Sequence, residues 1–181
     1  MSRLAIPTVD NAVEASKPLL AAVQKQLGIV PNLMKLVGNS PAALEGYLSL
    51  NGALAKGSLS VQLRERIALT IAEYNACDYC LSAHDYLGRN VAKISAGEID
   101  AARAARSEDA RTEAALQFAL RVAQSRGRVN DVELATLRAA GFDDAAIIEI
   151  VANVAVNVLT NYINNVALTD IDFPAVHAKA A

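Results

Sequence analysis

Residues Ser60 to His84 read SVQLRERIALTIAEYNACDYCLSAH, and the fold class follows from this stretch. Ser60 is a good N-cap, because its hydroxyl can accept from an amide that the first helical turn leaves without a partner. Leu63, Ile67, Ile71 and Tyr74 then recur at three and four residues, which predicts a helix from Val61 to about Ala76 with one apolar stripe. Cys77-Asp78-Tyr79-Cys80 follows at a turn, and a second helix is expected from Asp78 to about Asn90. Glu65 heads a second stripe of Ala68, Leu69, Ala72 and Ala76, small residues that let another helix approach closely. Glu73 falls with Gln62, Arg66 and Thr70 on what reads as a polar, solvated face.

The same periodicity extends in both directions. Upstream, a helix is expected over Ala12 to Leu27, stopped by Gly28, then a short one from Asn32 to Val37 after Pro31. Ser40 and Pro41 open another, to about Ala55. Downstream, Ser95-Ala96-Gly97-Glu98 has the pattern of a capping box for a helix to Ala105. Glu108 to Gln124, Asp131 to Ala139 behind an Asn130 cap, and a long helix from Asp143 or Asp144 to about Leu168 complete the chain. The tail after Asp170 is expected to be extended and packed over a neighbouring element. No segment alternates as a strand would, so the expectation is an all-α protein with one domain over residues 1–181.

Composition agrees. Hydrophobic residues make up 53% of the 181 but aromatics only 4%, and alanine, the best helix former, supplies much of the apolar content. A chain of this length buries a core without disulfides or metals. The net charge of −2, with both signs interspersed, offers no footprint for nucleic acid or an anionic membrane. Met1 to Pro7 lacks the apolar stretch of a secretory signal. The most apolar region, Ala145 to Leu168, is broken by Glu149, Asn153, Asn157, Asn161, Asn164 and Asn165, against a membrane span. A cytoplasmic location is expected, where a cysteine pair is kept reduced and serves catalysis or metal binding more readily than a structural bridge.

Cys77 and Cys80 are the only cysteines, and they are spaced to close a small disulfide ring reversibly. Cys80 falls in the first turn of its helix, where the amides and the helix dipole favour a thiolate. His84 is the i+4 neighbour of Cys80, not of Cys77. This asymmetry makes Cys80 the attacking nucleophile and Cys77 the resolving thiol, with a sulfenic acid on Cys80 condensing to a disulfide. Two other readings stay open at this point: a zinc site, for which only Cys77, Cys80, His84 and the distant His177 are available, and a buried inert pair. Glu65 is expected to be partly buried, with a raised pKa unless a cation pairs with it. A salt-bridged surface glutamate is the alternative. Twelve residues along one straight helix would hold Glu65 about 18 Å from Cys77, so the two meet only if the cysteine helix folds back antiparallel.

Glu65, eleven residues, Cys77-x-x-Cys80, three residues and His84 together resemble the signature of the alkyl hydroperoxidase D-like (AhpD-like) group of the carboxymuconolactone decarboxylase superfamily. Leu63-Arg64-Glu65-Arg66 and Cys80-Leu81-Ser82-Ala83-His84 extend the likeness. Asn157 to Asn165 and Asp172-Phe173-Pro174 are similar to its peroxidase-related branch, so that the resemblance spans roughly Pro31 to Pro174. It implies an all-helical fold assembled as homotrimers or homohexamers. It also implies reduction of H2O2 or organic hydroperoxides by Cys80 and Cys77, with Glu65 and His84 relaying protons. No metal or organic cofactor is required, and a dithiol donor, a lipoyl- or thioredoxin-like protein, returns the electrons. The best-known members carry a second histidine before the second cysteine, where this chain has Tyr79, a poor base near neutral pH. The rival activities are exchange with other disulfides, lactone decarboxylation without the cysteine pair, and a non-enzymatic zinc-binding oligomer.

Asn153, Asn157, Asn161 and Asn164 or Asn165 form a polar seam on the otherwise apolar last helix. Buried amides need partners. The seam should therefore face backbone groups, a subunit or a polar cavity, with an interface hydrogen-bond ladder favoured over contact with substrate.

Overall fold

The computed structural model describes residues 1–179. Over that span the chain is helical, with a 3-10 turn at Glu14–Ser16 followed by α1 (Lys17–Leu27), α2 (Asn32–Val37), α3 (Pro41–Leu54), α4 (Val61–Tyr74) and α5 (Asp78–Asn90). Then come α6 (Ala96–Arg103), α7 (Ala110–Ser125), α8 (Asp131–Ala139) and α9 (Asp144–Ala167). The all-α expectation therefore holds.

The first helix starts later than its apolar pattern suggests. A helix running from Ala12 would put Pro18 in its interior, where the ring clashes with the carbonyl four residues back and has no amide to donate. The chain instead makes the 3-10 turn and begins α1 at Lys17, so that Pro18 lies in the first turn.

α4 is the axis of the molecule and packs against α5, α6, α7 and α9. From Ile67 to Ala72 six successive residues are buried, Thr70 among them. The face of α4 expected to be solvated is so only at Gln62; Arg66, Thr70 and Glu73 are largely covered by packing. Thr70 donates to the Ala102 carbonyl of α6 at 2.6 Å. Arg66 pairs with Glu98 at 3.1 Å, and Glu73 with Arg103 at 2.6 Å. Tyr74, read as part of the apolar stripe, is exposed.

The expected capping box at α6 is only half made. Ser95 accepts from the Glu98 amide at 3.2 Å, but the Glu98 carboxylate turns to the Ser107 hydroxyl at 2.7 Å and the Glu108 amide at 2.8 Å, as well as to Arg66. A complete box forms at α8 instead, between Asn130 and Glu133.

α9 is long and apolar enough to cross a membrane by length and composition, but half of its most apolar window is buried inside the protein. It is a core helix. Its asparagines face inward, while Ile148, Val151, Leu159, Tyr162 and Val166 are exposed along the opposite side. Residues 168–179 run without regular structure, and Val176, His177 and Ala178 bond to Ser82 and Asp78 of α5.

Candidate active site

The two cysteines owe their placement to the way α4 stops. Ala76 adopts the left-handed conformation at φ 48°. The Ala76 amide donates to the Glu73 carbonyl at 3.0 Å and the Cys77 amide to the Ala72 carbonyl at 2.9 Å, the paired bonds of a Schellman termination. Alanine in this region costs about 1 kcal/mol, which glycine would avoid. Cys77 closes α4 and at once caps α5, its sulfur accepting from the Cys80 amide at 3.3 Å. The chain reverses within one turn, and α5 folds back along α4.

That reversal brings His84 to Glu65: His84 Nδ1 lies 2.8 Å from Glu65 Oε2, with both side chains about four-fifths buried (22% and 17% exposed). Glu65 accepting from Nδ1–H leaves Nε2 as the basic nitrogen, on the helix face shared with Cys80. Burial works against the charged imidazole. Glu65's charge and hydrogen bond, with a smaller contribution from Cys80, outweigh it and raise the His84 pKa.

Both thiols are unbridged and buried, yet their ionisation diverges. Burial also opposes a charge on Cys80. The hydrogen bond from Cys77, the charge of His84 and the amides of Asn164 and Asn161 overcome it, and bring the Cys80 thiol down to about 7. The Cys77 thiol is pushed far up, first by that same hydrogen bond and then by burial. Of the two, Cys80 is the thiol that ionises first.

Four neighbours were not legible as site residues. Asn164 Nδ2 donates to the Cys80 sulfur at 3.2 Å, and Asn161 stands one turn before it on α9. Asn75, which caps the C-terminus of α4, donates to Asn161 Oδ1 at 2.9 Å and accepts from Asn165 Nδ2 at 2.8 Å. Tyr47 of α3 is near enough that Cys80 and Glu65, after burial itself, push its phenol up to about 12. The only sequence signal for any of these was the seam, and it did not indicate which end meets the sulfur. The seam is buried within one chain, which corrects its expected role between subunits: Asn153 and Asn157 donate to the carbonyls of Glu149 and Asn153 on their own helix, each at 2.8 Å.

Tyr79, at the position where the resemblance has a second histidine, has its hydroxyl committed to other partners. Its hydroxyl donates to Asp172 at 2.8 Å and accepts from the Leu33 amide at 3.0 Å, and its ring meets Phe173 edge-on. Burial, foremost, holds this phenol well above its ordinary range. His177, the distant candidate zinc ligand, is bonded instead to Asp78 at 2.7 Å. Among the described residues no three His, Cys, Asp or Glu side chains converge as a metal would require. Two clefts, about 220 Å³ beside Ser58 and Arg111 and about 400 Å³ between α7 and α8, lie away from the cysteines.

Residues 41–125, which include α4, the cysteine turn and α5, match the carboxymuconolactone decarboxylase family. A peroxidase-related protein of Ralstonia eutropha, described as an alkylhydroperoxidase AhpD core, superposes with a TM-score of 0.83 at 26% identity, over 94% of this chain and 92% of that one. The chain is an AhpD-like member of the carboxymuconolactone decarboxylase superfamily. A second peroxidase-related protein, from a Silicibacter species, shares the AhpD-like fold at a TM-score of 0.81 and 24% identity, over 93% of this chain and 91% of that one. The debrominase Bmp8 does so at 0.73 and 21%, covering 93% and 94%. No curated protein matches the sequence. An AhpD-like fold therefore carries more than one chemistry, and the choice among them rests on the side chains at the cysteines.

Proposed function

We propose that this AhpD-like protein is a cytoplasmic thiol peroxidase that reduces H2O2 or organic hydroperoxides through Cys80 and Cys77. The observation that carries the reading is the placement of a buried Cys77-x-x-Cys80 pair beside the Glu65–His84 hydrogen bond, with the Asn164 amide on the Cys80 sulfur; the opposite directions of the two thiols, Cys80 lowered and Cys77 raised, agree with it. The Cys80 thiolate attacks the terminal peroxide oxygen, a sulfur–oxygen bond forms and the oxygen–oxygen bond breaks. The leaving alkoxide or hydroxide takes a proton from His84, which Glu65 keeps basic enough to recover one. Cys77 then attacks the sulfur of the Cys80 sulfenic acid, its proton leaves with the hydroxyl as water, and a disulfide remains. A dithiol donor, lipoyl- or thioredoxin-like, reduces that disulfide by exchange and is itself oxidised to a disulfide. The exposed apolar stripe of α9 supports assembly as a homotrimer or homohexamer.

Trapping with dimedone tests the assignment. The Cys77→Ser protein, treated with one equivalent of peroxide, is expected to carry the label on Cys80 and to stop after one oxidation. Cys80→Ser should consume no peroxide. Label on Cys77 in the Cys80→Ser protein would reverse the roles.

A further inference from the structure

Four buried side-chain nitrogens and oxygens among the described residues have no hydrogen-bond partner, and two of them, Asn161 Nδ2 and Asn164 Oδ1, stand beside Cys80. Such groups are rare in a native interior because each forfeits its hydration without return, at about 1–3 kcal/mol apiece. Asn161 is fully buried and Asn164 is 2% exposed, so neither atom is open to bulk water.

Their orientation is held from outside. Asn75 Nδ2 occupies Asn161 Oδ1 at 2.9 Å, which leaves the Asn161 NH2 as the end without a partner. Asn75 is itself held by Asn165, and it sits two residues before Cys77 at the turn that sets both sulfurs. Asn164 has its NH2 on the Cys80 sulfur at 3.2 Å, so its carbonyl oxygen lies on the adjacent arm of the same planar amide. The site thus has one donor that touches sulfur, one unused acceptor next to it, and a second donor, Asn161 Nδ2, close enough to favour the Cys80 thiolate yet without a hydrogen bond of its own. The two earlier asparagines of α9 show that this is not a general habit of the helix, since both close on their own backbone.

A sulfur bearing a hydroxyl matches that set. Its sulfur accepts one hydrogen bond, its O–H donates one, and its oxygen accepts another. We infer that Asn161 and Asn164 form the binding site for the oxygen that Cys80 takes from a hydroperoxide. Asn164 spans the S–O–H unit, with NH2 to sulfur and carbonyl to the hydroxyl proton, and Asn161 donates to the oxygen. The terminal O–H of the incoming peroxide presents the same donor and acceptor before the bond is made, so the amides select an oxygen electrophile over one that has none. This rests on the peroxidase reading and adds to it residues that contact the transferred atom.

The test compares two electrophiles on the full-length reduced protein: H2O2, whose oxygen the amides would hold, and iodoacetamide, which alkylates the thiolate without one. Both rates are measured across pH 5–9, so that a change in thiolate fraction separates from a change in selectivity. Asn161→Leu and Asn164→Leu are each expected to lower the peroxide rate about tenfold or more relative to the iodoacetamide rate, as loss of a hydrogen bond to a reacting group would. Asn157→Leu, on the same helix but bonded to its own backbone, should keep the wild-type ratio. If a leucine variant does not fold by circular dichroism, the serine variant at that position replaces it and must show the same drop. Variants that melt lower but keep the wild-type ratio would overturn the inference and leave the amides a structural role. A wild type that iodoacetamide alkylates but no peroxide oxidises would instead overturn the peroxidase reading, and this inference with it.

Discussion

The chain has two histidines, and each bonds a carboxylate through Nδ1 at nearly the same distance, His84 to Glu65 at 2.8 Å and His177 to Asp78 at 2.7 Å. Both carboxylates are close to the cysteine motif, and Asp78 is inside it. The contacts alone would not tell them apart. The first pair is enclosed between α4 and α5, about four-fifths buried, with Cys80 beside it. The second joins the C-terminal segment to the start of α5, with His177 70% and Asp78 43% exposed. Water screens the outer pair, so it contributes little to stability and pulls on no reacting group. The inner pair acts through a low-dielectric surround on a sulfur that burial would otherwise keep neutral. In the proposed mechanism only the shielded bond, with Cys80 beside it, is placed to move a proton.

Breaking the inner pair should have the largest effect. His84→Gln and Glu65→Gln each keep the side-chain size and are expected to slow Cys80 oxidation about a hundredfold, within the usual range for a lost acid–base group. Helical circular dichroism should stay near wild type. Unchanged kinetics with a collapsed melting temperature would make Glu65 and His84 a structural ion pair only.

The pH profile sharpens the contrast. His84's raised pKa means that its protonated bond to Glu65 stabilises the fold fully below the ordinary histidine value, near 6.5, and that this contribution fades as pH climbs through the higher folded value. Cys80, at about 7, should be a thiolate over the upper part of the same range. Iodoacetamide alkylation of Cys80 is therefore expected to rise with a midpoint near pH 7. In His84→Gln that midpoint should move up toward the ordinary cysteine value of about 8.5. A wild-type midpoint already at the ordinary value would mean that His84 does not act on this sulfur.

The smallest effect belongs to the outer pair. His177→Gln should leave peroxide turnover within about twofold and lower the melting temperature by at most a few degrees, since an exposed pair contributes about 0–1 kcal/mol. Asp78 is held below the usual carboxylate range: burial opposes this, while the Ala178 amide and His177 bring it about. Its contribution is present above the ordinary aspartate value, near 4, and is lost as pH falls through the lower folded one. A His177→Gln protein as slow as His84→Gln would show that the C-terminal segment takes part in the chemistry and does not merely cover it.

Much of the secondary structure was legible because it is decided locally. α2, α5 and α8 begin and end where the caps and periodicity place them, and Ser40, Ser60, Ser95 and Asn130 cap the helices they precede. Pro18 could have been read the same way, since its ring forbids the helix that the apolar pattern around it invites. Cys77, Cys80, His84 and Glu65 were visible as a group only through their spacing. Whether Glu65 could reach His84 depended on the reversal at Ala76, which nothing in an alanine announces.

By itself the sequence determined that this protein is helical, where most of its helices start and stop, and that its reactive groups lie at one turn. Capping bonds and i, i+4 neighbours span a few residues and are written into the order of the chain. Only the tertiary structure decided that α4 is buried on every side of its middle, that Arg66, Thr70 and Glu73 are covered, and that the far end of the α9 seam touches Cys80 from 84 positions away. Those outcomes depend on which helices surround α4 and how closely they pack. A buried amide's partner is then set by the enclosure and not by its neighbours along the chain.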